Sequence, residues 1–385
     1  MLKLLNMTST KKIRVAVLYG GRSGEHEISL QSAASVIRNL DKSRYEIIPI
    51  AIDKGGRWLL NDIKLLQDPG KTLPVFKDAP PVVLSPSSDG HEGSLIPVNG
   101  VANFGKAQKF DVVFPVMHGP LCEDGTVQGL LELADVPYVG CAVLASAVGM
   151  DKEVSKRLAR DAGLPIVPYV AVRPAAWSRD RAAVVARIKK ETGFPVFVKP
   201  SNMGSSVGVH KVKEEGALDA ALKDAFKYDL KVLVEKAVNA REIEVAVLEN
   251  PDASGAPLVT VAGEVVPTHE FYSYEAKYLD ENGAKLMIPA NLDEKQMARA
   301  RELGGAVFTA LECEGMARID MFLDKDTGGF FFNEINTIPG FTSISMYPKL
   351  WEATGVPYAE LLTRLIDLAL DRHGRKHALA REYKP

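Results

Sequence analysis

At 385 residues the chain is long enough for two or three domains, and at 46% hydrophobic and 25% charged it reads as globular. A net charge of −2 excludes a general polyanion binder, so no nucleic-acid partner is expected, and no apolar run approaches the roughly 20 residues of a membrane span. The three cysteines, Cys122, Cys141 and Cys313, follow no metal-ligand spacing and read as reduced structural thiols, which fits a cytoplasmic protein.

Residues 1–12 are short and polar, without a signal-peptide core, and are expected to form a loose arm. Residues 13–19 (IRVAVLY) are an apolar β-rich run that ends in Gly20-Gly21-Arg22-Ser23-Gly24. A helical pattern follows over 28–40, then a second buried strand over 45–52 (YEIIPIAI). Strand, glycine turn, helix, strand is the start of an open parallel sheet with helices on both faces. Glu25-His26-Glu27 sits at the turn. Carboxylates at a helix start often complement the helix dipole; the functional alternative is that Glu27 faces the site and holds a substrate ammonium. Residues 54–107 are rich in Pro, Gly, Ser and Asp and read as surface elaboration with short strands. Residues 111–117 (DVVFPVM) return to a buried strand that ends in His118. The carboxyl end of a strand in such a sheet is where ligands bind, although a structural histidine fits there as well. A helix from Gln128 and a short strand at 136–138 close the region.

Near Gly140 the character changes. Residues 146–162 are expected to be one helix carrying Asp151-Lys152, and 196–199 a strand ending in Lys199. The loop that follows, PSNMGSSVGV, has small residues, glycines and hydroxyls able to close over phosphates, including Ser205 and Ser206. It lacks the order of a P-loop. Strands are expected over 230–235, ending at Glu235-Lys236, over 241–248, which alternates strictly from Glu242, and over 258–266. The aromatic, charged segment 269–280, with Tyr272, Tyr274, Lys277 and Tyr278, is suited to be a lid or a surface loop that packs its own rings. Amphipathic helices are expected over 293–311 and 356–372.

The densest chemistry lies between them. Residues 318–323 and 330–336 read as two strands joined by the turn DKDTGG. Side-chain alternation puts Ile319, Met321 and Leu323 on the core face and Arg318 and Asp320 on the other. If Asp320 lies opposite Glu334, then Asp320, Glu334 and Asn336 converge as an all-oxygen set, which suits Mg²⁺ with phosphates as further ligands. The segment Thr337–Thr342 then brings backbone N–H groups close to a small anion.

Taken in order, the motifs GGRSGEHEISL, MHG, MDKEVSK, FVKPSNMGSSVGV, LVEK, REIEVAVL, EFYSYEAKYL, RIDMFL and NEINTIPGFTSISM resemble the bacterial D-alanine–D-alanine ligases of the ATP-grasp superfamily, from about residue 13 to about residue 370. The resemblance implies an N-terminal open parallel α/β domain (1–140) followed by a two-domain α+β ATP-grasp fold (141–238 and 239–385). It implies a homodimer that takes D-alanine and ATP for peptidoglycan precursor synthesis, through a D-alanyl phosphate. It implies two Mg²⁺ ions, replaceable by Mn²⁺, on Asp320, Glu334 and Asn336. Lys152 and Lys199 would touch ATP phosphates, Ser205 and Ser206 would lie in the covering loop, Glu235 and Lys236 would flank adenine, and Glu242 would bind ribose. Glu27 would hold the first ammonium with His118 nearby. Arg318, Gly340 and Ser345, with Met346 beside them, would hold the oxyanion and the second D-alanine, while Tyr274, Lys277 and Tyr278 match the closing loop. Tyrosine at 278 is similar to the dipeptide-forming type. The alternatives are another ATP-grasp carboxylate–amine ligase or a D-alanine–D-lactate ligase. The general base stays open between a loop serine and the departing phosphate.

Overall fold

The computed structural model of the chain describes residues 11–63, 72–86, 92–98, 107–252, 255–267 and 284–380. It begins with β1 (Ile13–Gly20), α1 (His26–Asn39) and β2 (Tyr45–Ile52). The two strands pair in parallel from Ile13↔Tyr45 to Gly20↔Ile52. Short strands follow: β3 (Trp58–Leu60), β4 (Val82–Leu84), β5 (Gly93–Pro97) and β6 (Gln108–Phe110). β3 joins the edge of the first sheet, and β4-β5-β6 form a small sheet of their own. Then β7 (Val112–Pro115) pairs in parallel with β1, and α2 (Thr126–Leu133) leads out of the sheet. The order β3-β2-β1-β7 is that of an open, mainly parallel sheet.

The helix expected over 146–162 is two helices, α3 (Val143–Met150) and α4 (Lys152–Asp161). Asp151 breaks it. Its backbone is extended, and its side chain accepts from the N–H groups of Glu153 and Val154 as the α4 cap, a contact that stabilises a helix by about 1 kcal/mol. The break matters because it sets the start of α4, and with it Lys152, against the strand that carries Glu334. The second sheet is built from β8 (Tyr169–Val172), β9 (Val196–Pro200), β10 (His210–Val212) and β11 (Val232–Lys236). Its order is β10-β9-β11-β8, all antiparallel. One face is covered by α5 (Pro174–Arg179), α6 (Arg181–Glu191) and α7 (Leu218–Ala225), which share its apolar core through Trp177, Ile188 and Leu222.

The third sheet holds β12 (Ala240–Leu248), β13 (Leu258–Val259), β14 (Gly263–Pro267), β15 (Ala284–Met287), β16 (Met316–Asp324) and β17 (Phe330–Asn336). The single strand expected over 258–266 is interrupted at 260–262, where the Thr260 hydroxyl accepts from the Ala246 N–H and takes a ladder position. The sheet order is β15-β14-β12-β16-β17. Ile243, Val245, Ile319, Met321 and Leu323 point to one side and pack with α8 (Glu294–Ala310). The other side looks toward the second sheet. The helices α9 (Met346–Ala353) and α10 (Tyr358–His377) end the chain. Leu361, Leu365 and Ile366 of α10 share one core with Val15, Val17 and Val36, so the C-terminal helix completes the first domain rather than extending the third sheet.

Candidate active site

The three sheets meet around the β16–β17 hairpin. Arg318 pairs with Asn336 and Asp320 with Glu334, so the two carboxylates and the amide share the face opposite Ile319. A β-bulge then shifts the register, so that Met321 pairs with Phe332 and Asn333 is the extra residue. β12 adds Glu244 beside Asp320 and Glu242 beside Phe322 on the same face.

The contacts are charged and close. Arg318 donates through Nε and Nη2 to the two Asp320 oxygens, each at 2.7 Å, and its Nε lies 3.0 Å from Glu244 Oε2. Burial opposes the guanidinium charge, but Asp320 and Glu244 outweigh it and raise its pKa well above the ordinary value. Asn336 Nδ2 donates to Asp320 Oδ2 at 3.0 Å. Lys152 Nζ lies 3.1 Å from Glu334 Oε2 and donates at 2.7 Å to the carbonyl of Met203 in the serine loop. Asp320, Glu334 and Asn336 therefore offer only oxygen ligands to a cation, and the carboxylates already sit against positive groups, so the donor set fits a hard ion such as Mg²⁺.

Across the gap, Lys199 on β9 donates to Glu235 Oε2 at 2.5 Å, and Lys156 of α4 lies 2.7 Å from Glu235 Oε1. Burial works against the Glu235 charge, but the two ammonium groups hold its carboxyl below the usual range. Lys199 also reaches Asn333 Oδ1 at 3.4 Å, so the bulged residue ties the second sheet to the third. Glu235 is thus committed to two lysines, whereas Lys236 is exposed at the end of β11. Ser205 and Ser206 both have left-handed backbones, φ 52° and 59°, which is uncommon without glycine.

The first domain supplies the opposite wall. The Ser205 hydroxyl donates to Glu25 Oε1. Gly119 follows His118 with φ +76°, which strains any other residue, and a Cβ there would lie 2.6 Å from Glu25 Oε2 and push that carboxylate aside. His118 is buried. Its Nε2 is 2.9 Å from Ser32 Oγ and its Nδ1 is 3.9 Å from Glu123 Oε1. Burial pushes the His118 pKa down. Burial, then the nearby Glu25, push the Glu123 carboxyl up to about 8, although the Gly119 N–H donates to it at 2.9 Å. The loop after β17 closes this side. The Phe341 N–H donates to Ser32 Oγ at 3.3 Å, and the Thr342 N–H donates to Ser345 Oγ at 2.9 Å. A Cβ on Gly340 would meet Ser345 Oγ at 2.8 Å.

Two expected site residues lie elsewhere. Glu27 is on the exposed side of α1, 2.7 Å from Lys54, and it is Glu25 that reaches the serine loop. The Met346 side chain is buried against Gly263 and Leu350 in the core, because residue 346 opens α9 with its side chain turned inward. Tyr274, Lys277 and Tyr278 lie outside the described residues. The residues that sequence reasoning passed over are Glu25, Glu123, Lys156, Glu244 and Asn333. Glu244 had a signal, since the alternation of REIEVAVL puts it on the face of Glu242.

Comparison with known proteins points one way. A family profile described as "D-ala D-ala ligase N-terminus" matches residues 14–141, and one described as "D-ala D-ala ligase C-terminus" matches 158–367. A D-alanine–D-alanine ligase A from Bradyrhizobium diazoefficiens is 60% identical over 375 residues, covering 97% of this chain and 99% of the relative. A D-alanine–D-alanine ligase from Caldicellulosiruptor bescii is 48% identical over 368 residues, covering 96% and 98%. Among solved structures, the D-alanine–D-alanine ligase of Coxiella burnetii superposes with a TM-score of 0.79 at 36% identity, covering 95% of this chain and 96% of that one. A D-Ala:D-Ser ligase from Enterococcus faecalis gives 0.79 at 34% identity, covering 93% and 100%.

Proposed function

The chain belongs to the D-alanine–D-alanine ligase family, and from that premise we infer that it joins two D-alanine molecules to D-alanyl-D-alanine with ATP, releasing ADP and phosphate. The observation that carries the reading at the level of chemistry is the meeting of Asp320, Glu334, Asn336, Arg318 and Lys152 between two antiparallel sheets, with Lys199 opposite.

Free carboxylate and amine do not condense in water unaided. The γ-phosphoryl group of ATP passes to the carboxylate of the first D-alanine, giving an acyl phosphate; the amine of the second attacks the acyl carbon, and phosphate leaves. Asp320, Glu334 and Asn336 would hold Mg²⁺, two ions per site with Mn²⁺ able to replace them, and these ions supply positive charge against the phosphoryl oxygens. Lys152 and Lys199 add ammonium charge to the same phosphates. Glu235 serves by fixing Lys199, leaving Lys236 for the base and Glu242 for the ribose. Ser205, Ser206 and the backbone around them cover the phosphates. Glu25 takes the ammonium of the first D-alanine, with His118 beside it, in the role expected of Glu27. Arg318 and the Gly340 N–H face the oxyanion of the tetrahedral state, each such donor contributing about 3 kcal/mol. Ser345, which holds the Gly340–Thr342 loop, sits where the second D-alanine binds. Tyr278 and Lys277 complete the closing loop in this reading.

The reading extends to a homodimer. Leu130, Leu133 and Leu144 are 42%, 79% and 61% exposed on the adjoining helices α2 and α3, an apolar patch suited to a second copy. No helix among the described residues is long and apolar enough to cross a membrane. The reaction draws on ATP and feeds peptidoglycan precursors, which places the enzyme in the cytoplasm in this reading.

The test is phosphate release with Mg²⁺-ATP and single amino acids, the product being identified by mass. Release that needs D-alanine, yields D-alanyl-D-alanine and ignores L-alanine is expected. A D-lactate or D-serine product that exceeds the dipeptide at neutral pH would overturn the assignment of the second substrate.

A further inference from the structure

Far from the nucleotide cleft, α10 carries His373 and His377 four residues apart, so both imidazoles leave the same helix face. Asp135 meets them from the turn after α2, held with φ 54° in the left-handed region. His377 Nε2 lies 2.6 Å from Asp135 Oδ2, and His373 Nε2 lies 3.4 Å from Asp135 Oδ1 and 3.1 Å from its backbone oxygen. The two imidazole rings are 5.0 Å apart between centroids, and one ligand atom from each of the three residues falls within 4.8 Å of the others. We propose that Asp135, His373 and His377 form a second metal site, for a borderline divalent cation of the Zn²⁺ class, which clips the C-terminal helix to the first domain.

The two spacings to Asp135 need little change, and the two imidazole ligand atoms, within 4.8 Å of one another, close toward the tetrahedral spacing. Bonds of about 2.0–2.1 Å in a tetrahedral zinc site put ligand atoms roughly 3.3 Å apart. The 3.4 Å pair already has that spacing, and the 2.6 Å pair needs to open by less than about 1 Å. Each imidazole offers its Nε2 lone pair once the ring proton sits on Nδ1. Two imidazoles with one carboxylate select Zn²⁺ and its neighbours over Mg²⁺, which prefers an all-oxygen set. The His377 and Asp135 side chains are 33% and 30% exposed, so a cation can reach the cluster from solvent. The cations on the same helix end have other partners. Lys376 is 2.6 Å from Glu132, Arg372 donates to the carbonyls of Tyr138 and Gly140, and Arg375 pairs with Asp371 and Glu249. Both histidines lie beyond residue 367, where the match to the family profile ends.

The plain alternative is that Asp135 only forms ion pairs with two protonated histidines. Copper(II) separates the two readings, because the Asp320–Glu334–Asn336 set contains no imidazole. One equivalent of Cu²⁺ is added to the full chain saturated with Mg²⁺ and ADP, and the electron paramagnetic spectrum is recorded. Hyperfine coupling to two nitrogens is expected, together with one bound Zn²⁺ by calorimetry and an upward melting shift of a few degrees. In H373Q/H377Q the two-nitrogen pattern should vanish while ligase turnover stays unchanged. In Asp135→Asn, Zn²⁺ affinity should fall at least about tenfold. A wild-type spectrum without two-nitrogen coupling overturns the site, whether or not the double variant folds. A two-nitrogen spectrum that persists in the double variant also overturns it.

Discussion

The two walls of the cleft carry charge in opposite ways. On the hairpin wall each carboxylate already has a cation: Arg318 lies between Asp320 and Glu244, and Lys152 meets Glu334. On the first-domain wall two half-buried carboxyls, Glu25 and Glu123, lie beside the buried His118, whose burial disfavours the imidazolium. The difference separates two jobs. The hairpin wall has its oxygen ligands fixed before any substrate arrives, as a site that must receive metal and phosphate requires. The first-domain wall gains from a positive ligand, because an ammonium offsets the mutual repulsion of two neighbouring acids.

The largest way to break this contrast is Arg318→Ala. It leaves Asp320 and Glu244 without their shared guanidinium, so stability should fall by about 3–5 kcal/mol. Turnover should drop about 10²–10³-fold through loss of the oxyanion donor. Calorimetry and single-turnover phosphate release read the two effects apart. Arg318→Lys should recover part of the stability and little of the turnover, since an ammonium cannot reproduce the paired contact with Asp320. A smaller effect is expected from Glu244→Gln. Losing one charged partner of Arg318 should cost about 1.5–3 kcal/mol and lower kcat while the KM for ATP holds. A change in the ATP KM alone would show that Glu244 acts on the nucleotide.

The other wall is sharpened through pH. The Glu123 carboxyl rises from its ordinary 4.5 to about 8 in the fold. A raised folded value means that the protonated form is favoured on folding. Its stabilisation is complete below about 4.5 and is lost as pH climbs through about 8. Glu123→Gln should therefore flatten the decline of melting temperature across that window. An equally steep decline in the variant would assign the pH dependence to other groups.

How far the sequence revealed all this depended on periodicity. The alternation of β16 and β17 set the faces of Asp320 and Glu334 and the core face of Ile319, Met321 and Leu323, but it left their pairing conditional on the register, which the structure supplies as Asp320↔Glu334. The bulge at Asn333 did not follow, because an extra residue in a ladder leaves no mark on the hydrophobic pattern. The helix break at Asp151 was hidden for a related reason: an apolar pattern runs through 146–162, and only the side-chain cap decides where it stops. At the glycine turn the failure was larger. Glu25 and Glu27 are two residues apart at a helix start, where neither a helical nor a strand period yet orders the chain. Only the fold shows Glu25 turned to Ser205 and Glu27 turned to Lys54. The role of α10 was likewise invisible, since its amphipathic face does not say which of three sheets it will cover.

The most direct measurement is the KM for the first D-alanine in Glu25→Gln and Glu27→Gln, taken by phosphate release with saturating Mg²⁺-ATP. The account predicts a rise of about tenfold or more for Glu25→Gln, as expected when a charged partner of an ammonium is removed. For the exposed Glu27→Gln it predicts a change within about twofold. The reverse pattern would return the ammonium to Glu27 and contradict the division between the two walls.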